Sequence, residues 1–224
     1  MEGTEPTPAE NRRSTIIEVS TAIILGLATL GAAYAAYQAS MYDGNSLDGY
    51  STGIAKINES NRQQLEAAQG FTLDMITWME WQSRIMASER ETGDKAKVDA
   101  EIAQSIEEEF MEDRLKEALV WADEESAKKK TRVHPTDSDA YALELFGEAL
   151  DTEAESTKMF EKARKANDMG DKFTLITVYF TIVLFFSGIT TAFKRDPVKL
   201  TMLALSAVFL AYTTVKLFQL PAAG

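Results

Sequence analysis

The chain has 224 residues, with 35 acidic against 23 basic side chains, one histidine and no cysteine. Those numbers exclude a disulfide framework, a thiolate zinc site and a cysteine nucleophile, and they leave histidine-rich metal chemistry a single residue to work with. A formal charge of -12 argues against a phosphate-backbone binder, so no nucleic-acid partner is expected.

The mean hydropathy of -0.19 averages over two populations, three long uncharged apolar runs and a highly charged middle. Val19 to Tyr42 holds 24 consecutive uncharged residues, enough to cross the roughly 30 Å core of a bilayer as a helix. A cleaved signal peptide is the rival reading, because Arg12 and Arg13 precede the run and Ala33-Tyr34-Ala35 follows within it. The run exceeds the roughly 7 to 15 apolar residues of such a leader, so a retained span over 16–42 is expected, after a flexible tail at 1–15. Its small residues, Ala22, Gly26 and Gly31 among them, let backbones approach closely and mark it as a packing helix for the other spans or for an oligomer.

Residues 43–172 carry 30 acidic and 17 basic side chains, an excess of 13 negative charges that exceeds the net charge of the whole molecule. No proline occurs between Asn45 and Pro135, and Ala, Glu, Lys, Gln, Met and Leu dominate, which is helix-forming composition. Gly44, Gly49 and Gly53 weaken any continuation of the first span. Apolar residues at helical spacing include Phe71, Met75, Trp78, Met79, Ile85 and Met86, then Val98, Ile102, Ile106 and Phe110 continuing into Leu115, Ala118, Leu119 and Ala122. A third stripe begins at Tyr141 and runs through Leu145, Phe146, Leu150, Met159, Phe160 and Ala163. Glu91 to Asp94 reads as a turn, with Asp94 as the helix cap, and Thr131 to Ser138 reads as a loop after which Asp137 or Ser138 caps a new helix. Only Gly170 interrupts the stretch from Ala140 to Phe193, so one helix can run from the acidic segment into the second span. Chain parity demands one more reversal, either near Gly70 or, as favoured here, near Glu112-Asp113.

Phe173 to Phe193 forms a second span, 194–199 a short link, 200–220 a third span and 221–224 a tail. Lys216 sits near the end of the third span, where its ammonium can reach the headgroups. Arg12 and Arg13 before the first span, with Lys194, Arg195 and Lys199 in the link, fall on one side of a membrane after two crossings. The positive-inside bias makes that side cytoplasmic and residues 43–172 extracytoplasmic.

Candidate chemistry is sparse. Glu107-Glu108-Glu109 with Glu112-Asp113, and Asp123-Glu124-Glu125, fan around a helix axis as a solvated face rather than converge on a cation. Lys128 to Arg132 ends a helix where positive charge complements the macrodipole, beside an exposed loop histidine, His134. The second span's hydroxyls, Thr177 and Thr181 in particular, either bond back to their own helix or line a pore in a ring of subunits. No nucleophile has a partner base and no phosphate-binding glycine loop occurs, so neither enzyme activity nor a cofactor or metal is expected.

The segment Ala35-Ala36-Tyr37-Gln38-Ala39, followed by Tyr42-Asp43-Gly44 and Tyr50, together with Leu184 to Ile189 in the second span, resembles a family of uncharacterised bacterial membrane proteins. In that family a first span ends in a Tyr-Gln-Ala motif, an acidic helical segment follows and two closing spans complete the chain; a related group is known only as a domain of unknown function. This chain has Tyr42 where the pattern has Trp. The resemblance implies a bacterial inner-membrane topology and no activity. The sequence therefore leads to an all-α protein: three transmembrane helices with an extracytoplasmic antiparallel helical bundle between the first and second. Its partners would be the lipid bilayer and either further copies of itself or another membrane protein, with Trp78 and Trp81 joining Ala22, Gly26 and Gly31 in assembly. The alternative is an oligomeric cation channel or transport accessory.

Overall fold

The computed structural model describes residues 8–193 and 195–223, apart from the side chains at 8–11 and 13. Lys194 and the side chain of Arg13, both invoked for topology, lie outside the described residues. Every regular element among the described residues is helical: α1 (Pro8–Arg90), α2 (Asp94–Glu109), α3 (Asp113–Lys129), a 3-10 turn (Pro135–Asp137), α4 (Asp139–Thr190) and α5 (Asp196–Phe218). Three of them, α1, α4 and α5, contain segments long and apolar enough to cross a membrane. The chain divides into two compact units, one formed by residues up to Ser51 with those from Phe160 onward, the other by Thr52–Met159. The division falls inside α1 and α4, each of which is one uninterrupted helix through the change from apolar to charged sequence.

The first unit is built on an antiparallel seam of α1 and α4. Along α1 the covered positions Ile17, Thr21, Ile24, Ala28, Gly31 and Ala35 alternate in steps of four and three, the spacing that keeps one stripe facing a partner helix. α1 supplies small residues there and α4 supplies large ones: Ala28, Ala35 and Ala39 share a core with Phe173, Ile176, Phe180 and Val183. The Phe180 ring fills the space a side chain at Gly31 would need. α5 starts with Pro197 in its first turn, a position that tolerates the missing N–H, and joins through Leu217, the stacked pair Phe186–Phe209 at 6.0 Å, and Tyr179–Tyr212 at 6.0 Å.

Gly49 and Gly53, expected to weaken the helix, instead sit on its buried face. A Cβ at Gly49 would lie 2.9 Å from the Ala163 Cβ, so these glycines permit close approach of α4 rather than ending α1. In the second unit the Gly53 carbonyl accepts a hydrogen bond from Ser156 Oγ at 2.9 Å, and Ser60 Oγ donates to the Ala149 carbonyl at 2.8 Å. Short hydroxyl residues thus tie one backbone directly to the other.

α1 ends at a turn in which Gly93 takes a positive φ of 74°. Gly93 is the cap of α2 and Asp94 its first residue, which corrects the assignment of Asp94 as cap. α2 then returns along α1, with Arg84 Nη1 3.1 Å from Asp99 Oδ1 and Trp81 Nε1 donating to Glu107. Its covered face is Ala96, Asp99, Ala103 and Ile106. Of the stripe read from sequence in α2, Ile106 is covered but Val98, Ile102 and Phe110 are exposed; Asp99, paired with Arg84, and Ala103 take the inward positions. The break between α2 and α3 falls at Phe110 to Glu112, while α1 passes Gly70 unbroken. α3 buries Leu115, Ala118 and Ala122 and stops at Lys130, whose left-handed φ of 51° ends the helix. Ser138 Oγ accepts from the Tyr141 N–H and caps α4.

Replacing Gly49 by Leu is expected to cost about 1–3 kcal/mol by overpacking the seam, read as a lower midpoint of thermal helix loss in detergent. Gly26→Leu, at a position with open space around it, should leave the midpoint unchanged. Equal midpoints for the two variants would refute close packing at Gly49.

Candidate functional site

The most constrained polar group of the second unit is Asp74, 3% exposed on the inner face of α1. Arg114 of α3 grips its carboxylate with two hydrogen bonds, Nε to Oδ2 at 2.8 Å and Nη2 to Oδ1 at 3.1 Å. The Tyr141 hydroxyl of α4 donates to Oδ2 at 2.9 Å. Three helices therefore meet on one carboxylate. The bond to Asp74 holds the Arg114 guanidinium above its ordinary pKa, and burial, reinforced by that carboxylate, pushes the Tyr141 phenol well above its own. A buried fork-to-fork pair of this kind fixes helix register and angle more than it adds net stability. Sequence reading passed over Asp74, although its signal was present: a carboxylate three residues after Phe71 and four before Trp78, in the middle of an apolar stripe.

The two tryptophans assigned to assembly are engaged within this unit. Trp78 packs edge-on against His134 at 4.5 Å between ring centres and lies under the Arg132 guanidinium at 5.9 Å. His134 is thus not the exposed loop residue expected from sequence; it is half-buried, and its ring caps the 3-10 turn through Thr136. Within the basic run, Lys128 and Lys129 are drawn back to Glu125 at 3.0 and 3.3 Å, and the hydrogen bond from Lys128 is the main cause of the depressed Glu125 pKa.

What this unit leaves open is a groove between α1 and α4. It encloses about 800 Å³, floored by Ala68, Ala142, Phe146 and the side chains of Leu143 and Leu150, with Gln64, Asp139 and Glu153 on its edges. Leu143 and Leu150 are 68% and 56% exposed, so the groove presents aliphatic surface.

In the first unit the assignments separate. Gly31 lies under Phe180 of α4, so it packs against another apolar helix of the same chain, one of the two roles read for it from sequence. Ala22 and Gly26 are exposed on the open face of α1. Thr177 and Thr181 donate their hydroxyls to the Phe173 and Thr177 carbonyls of their own helix. Arg12 and Arg195 are exposed and Lys199 is half-buried. The Tyr-Gln-Ala motif has a contact role that sequence could not supply. Gln38 Oε1 accepts from the Ala223 N–H at 2.7 Å, and the Tyr42 hydroxyl donates to the Pro221 carbonyl at 3.0 Å, so α1 clasps the segment after α5. Thr21 Oγ1 and Ser187 Oγ are buried with no hydrogen-bond partner among the described residues.

Among the described residues no cluster of three or more His, Cys, Asp or Glu side chains has the arrangement of a metal site. Compared with protein-family models, curated proteins and solved structures, the chain matches none.

Asp74→Ala leaves the half-buried Arg114 unpaired and should cost about 3 kcal/mol, the low end for breaking a buried pair, while Tyr141→Phe, which removes one hydrogen bond to a charged group, should cost about 1.5–3 kcal/mol. Both are checked by denaturant unfolding in detergent; a loss under about 0.5 kcal/mol for Asp74→Ala would contradict the tether. Tyr141 also imposes a pH dependence. Unfolded tyrosine ionises near pH 10, whereas the folded phenol stays protonated above that. The stability it contributes is fully present below about pH 10 and is lost as pH rises beyond it. Tyr141→Phe should flatten this alkaline decline, and an unchanged slope would show that another group causes it.

Proposed function

We propose that this is a multi-pass protein of the bacterial inner membrane, without enzymatic activity, whose acidic helical segment assembles copies of the chain or docks another membrane protein. In this reading the amino terminus and the 194–199 link are cytoplasmic and residues 43–172 extracytoplasmic. Exposed Arg12 and Arg195, flanking the spans on one side, support the orientation. Membrane residence is supported by how little of the apolar stretches is covered within the chain: 17%, 33% and 11% of the most apolar window in α1, α4 and α5. Ile23, Leu27 and Leu30 of α1, Val178 and Phe185 of α4, and Val208 and Val215 of α5 all face outward. Hydrocarbon is the solvent that suits such surfaces.

The observation that carries the assembly reading is the open groove of Ala68, Leu143, Phe146 and Leu150. It lies in the charged segment, where lipid does not cover it. Burying a leucine fully gains about 1.5–3 kcal/mol, so an incoming helix with apolar residues at the same spacing is favoured there. The rest of that unit is tied internally by the Asp74 tether and the Trp78–His134 contact, which leaves a rigid platform beside the groove.

The absence of cysteine makes the test clean. Leu150→Cys, in membranes treated with a short thiol-to-amine cross-linker, should give one discrete adduct. A product of twice the chain mass supports self-association, and a product with a second membrane protein supports docking. In the same membranes Leu143→Asp with Leu150→Asp should lower the yield at least about tenfold while helicity is kept. Absence of any adduct, or an adduct indifferent to the aspartates, overturns the groove as the contact.

A further inference from the structure

A second cavity lies in the first unit, between α4 and α5, and its chemistry differs from that of the groove. It encloses about 260 Å³ and is lined by Lys172, Leu175, Tyr179, Tyr212, Lys216 and Gln219. Lys172 immediately precedes the second apolar run, and Lys216 lies in the last turn of α5. Because α4 enters and α5 leaves at opposite ends of the short link, the two lysines come together at the same end of the paired spans. Neither ammonium forms an ion pair with the acidic side chains among the described residues, although Arg62, Arg84, Arg114 and Lys128 all do. Asp171, the acid next to Lys172, accepts instead from Asn167 Nδ2 at 3.4 Å. The carbonyls at the end of α5, which would repel an anion, are occupied by the Gln219 and Leu220 N–H groups.

The remaining walls are aromatic and aliphatic. Lys216 Nζ stands 5.8 Å from the centre of the Tyr212 ring, and Tyr179 lies 6.0 Å from Tyr212. Tyrosines at this level of a span are amphipathic anchors, with the ring against hydrocarbon and the hydroxyl toward headgroups. Leu175 extends the wall on the α4 side. A pocket with two lysines at one end, and with Leu175, Tyr179 and Tyr212 one to two helical turns further into the apolar stretches, matches one molecule with an anionic head and an apolar body. A free inorganic anion would use only the first of these features.

We propose that this pocket binds the phosphate-bearing headgroup of an anionic phospholipid, with the phosphate accepting from Lys172 and Lys216 and the upper acyl chain lying against Tyr179 and Leu175. The inference rests on the three helices crossing a membrane and is independent of self-association. Basic pockets between spans select anionic lipids by charge, on a scale of about fivefold in affinity for each lysine near the surface.

The test uses the full chain, delipidated in detergent, titrated with phosphatidylglycerol or with phosphatidylcholine of identical acyl chains and read by native mass spectrometry. The wild type should bind phosphatidylglycerol at least about tenfold more tightly. Lys172→Gln and Lys216→Gln should each weaken that binding about fivefold and the double variant about thirtyfold, with phosphatidylcholine binding unmoved. Lys172→Arg with Lys216→Arg should retain the preference, and Lys165→Gln, outside the pocket, should match the wild type. Circular dichroism checks that each variant keeps its helicity. Equal binding of the two lipids, or a double glutamine variant with the wild-type preference, overturns the proposal. Displacement of the lipid by equimolar inorganic phosphate overturns it in favour of a free-phosphate site. Alkaline carbonate extraction of native membranes separates these outcomes from failure of the membrane reading, since a chain released by carbonate would not span the bilayer at all.

Discussion

The structure depends on how closely α1 can approach α4. Helices with ordinary core residues pack about 8–10 Å apart, and small residues on one partner allow them nearer. α1 offers a ladder of such residues, Ala28, Gly31, Ala35, Gly49, Gly53, Ser60 and Ala67, on its covered face. Each unit uses the ladder differently. In the first, α4 sets the Phe180 ring over Gly31 in a core shared with Ala28, Ala35 and Phe173, an apolar lock of the kind that serves where helices gain little by merely hiding surface from lipid. In the second, Ser60 and Ser156 reach across to backbone carbonyls, bonds that water would otherwise contest. One geometric rule thus serves an apolar contact and a polar one, because the side chains filling the contact change along α1.

Close approach alone leaves the ends of the helices free to rotate, and the second unit resolves this with charge. Asp74 draws one hydrogen-bonding group from α3 and one from α4, and Arg84 draws Asp99 of α2. The partially exposed Arg84–Asp99 pair contributes little stability on its own. It joins the covered face of α2 to α1, while the more apolar stripe of Val98, Ile102 and Phe110 is left outside.

That outcome marks where sequence stops being informative. The all-helical class, the three membrane-length apolar helices, the single helix from the acidic segment through the second run, and the Ser138 cap were all readable, because they rest on composition, periodicity and local capping. The glycines were misjudged because helix propensity is a local quantity, whereas Gly49 serves a contact with Ala163, more than a hundred residues away in the chain. Val98 and Ile102 were misassigned for a related reason. Periodicity shows that a helix has an apolar face, but it does not show which of two adjacent stripes, that of Val98 and Ile102 or that of Ala96 and Ala103, the partner helix will cover. Asp74 stood out only as a charge in the wrong place, and without Arg114 and Tyr141 beside it the same residue would read as noise.

The Tyr-Gln-Ala motif gains its meaning from a phase change in the α1 seam. Through Ala35 and Gln38 the covered positions step by four and three, and then Gln38, Tyr42 and Ser46 step by four twice before Gly49 restores the pattern. An insertion of this kind locally unwinds a supercoil and rotates the seam. The rotation presents Gln38 and Tyr42 together, one turn apart. Tyr42 stacks on Phe173 at 5.7 Å while its hydroxyl holds Pro221, and Gln38 holds Ala223. Phe173 follows Lys172 directly, and Pro221 lies two residues beyond Gln219. The same clasp that secures the segment after α5 therefore also fixes the separation of the two elements that carry Lys172 and Lys216. Gln38 and Tyr42 thereby brace the pocket that carries Lys172 and Lys216.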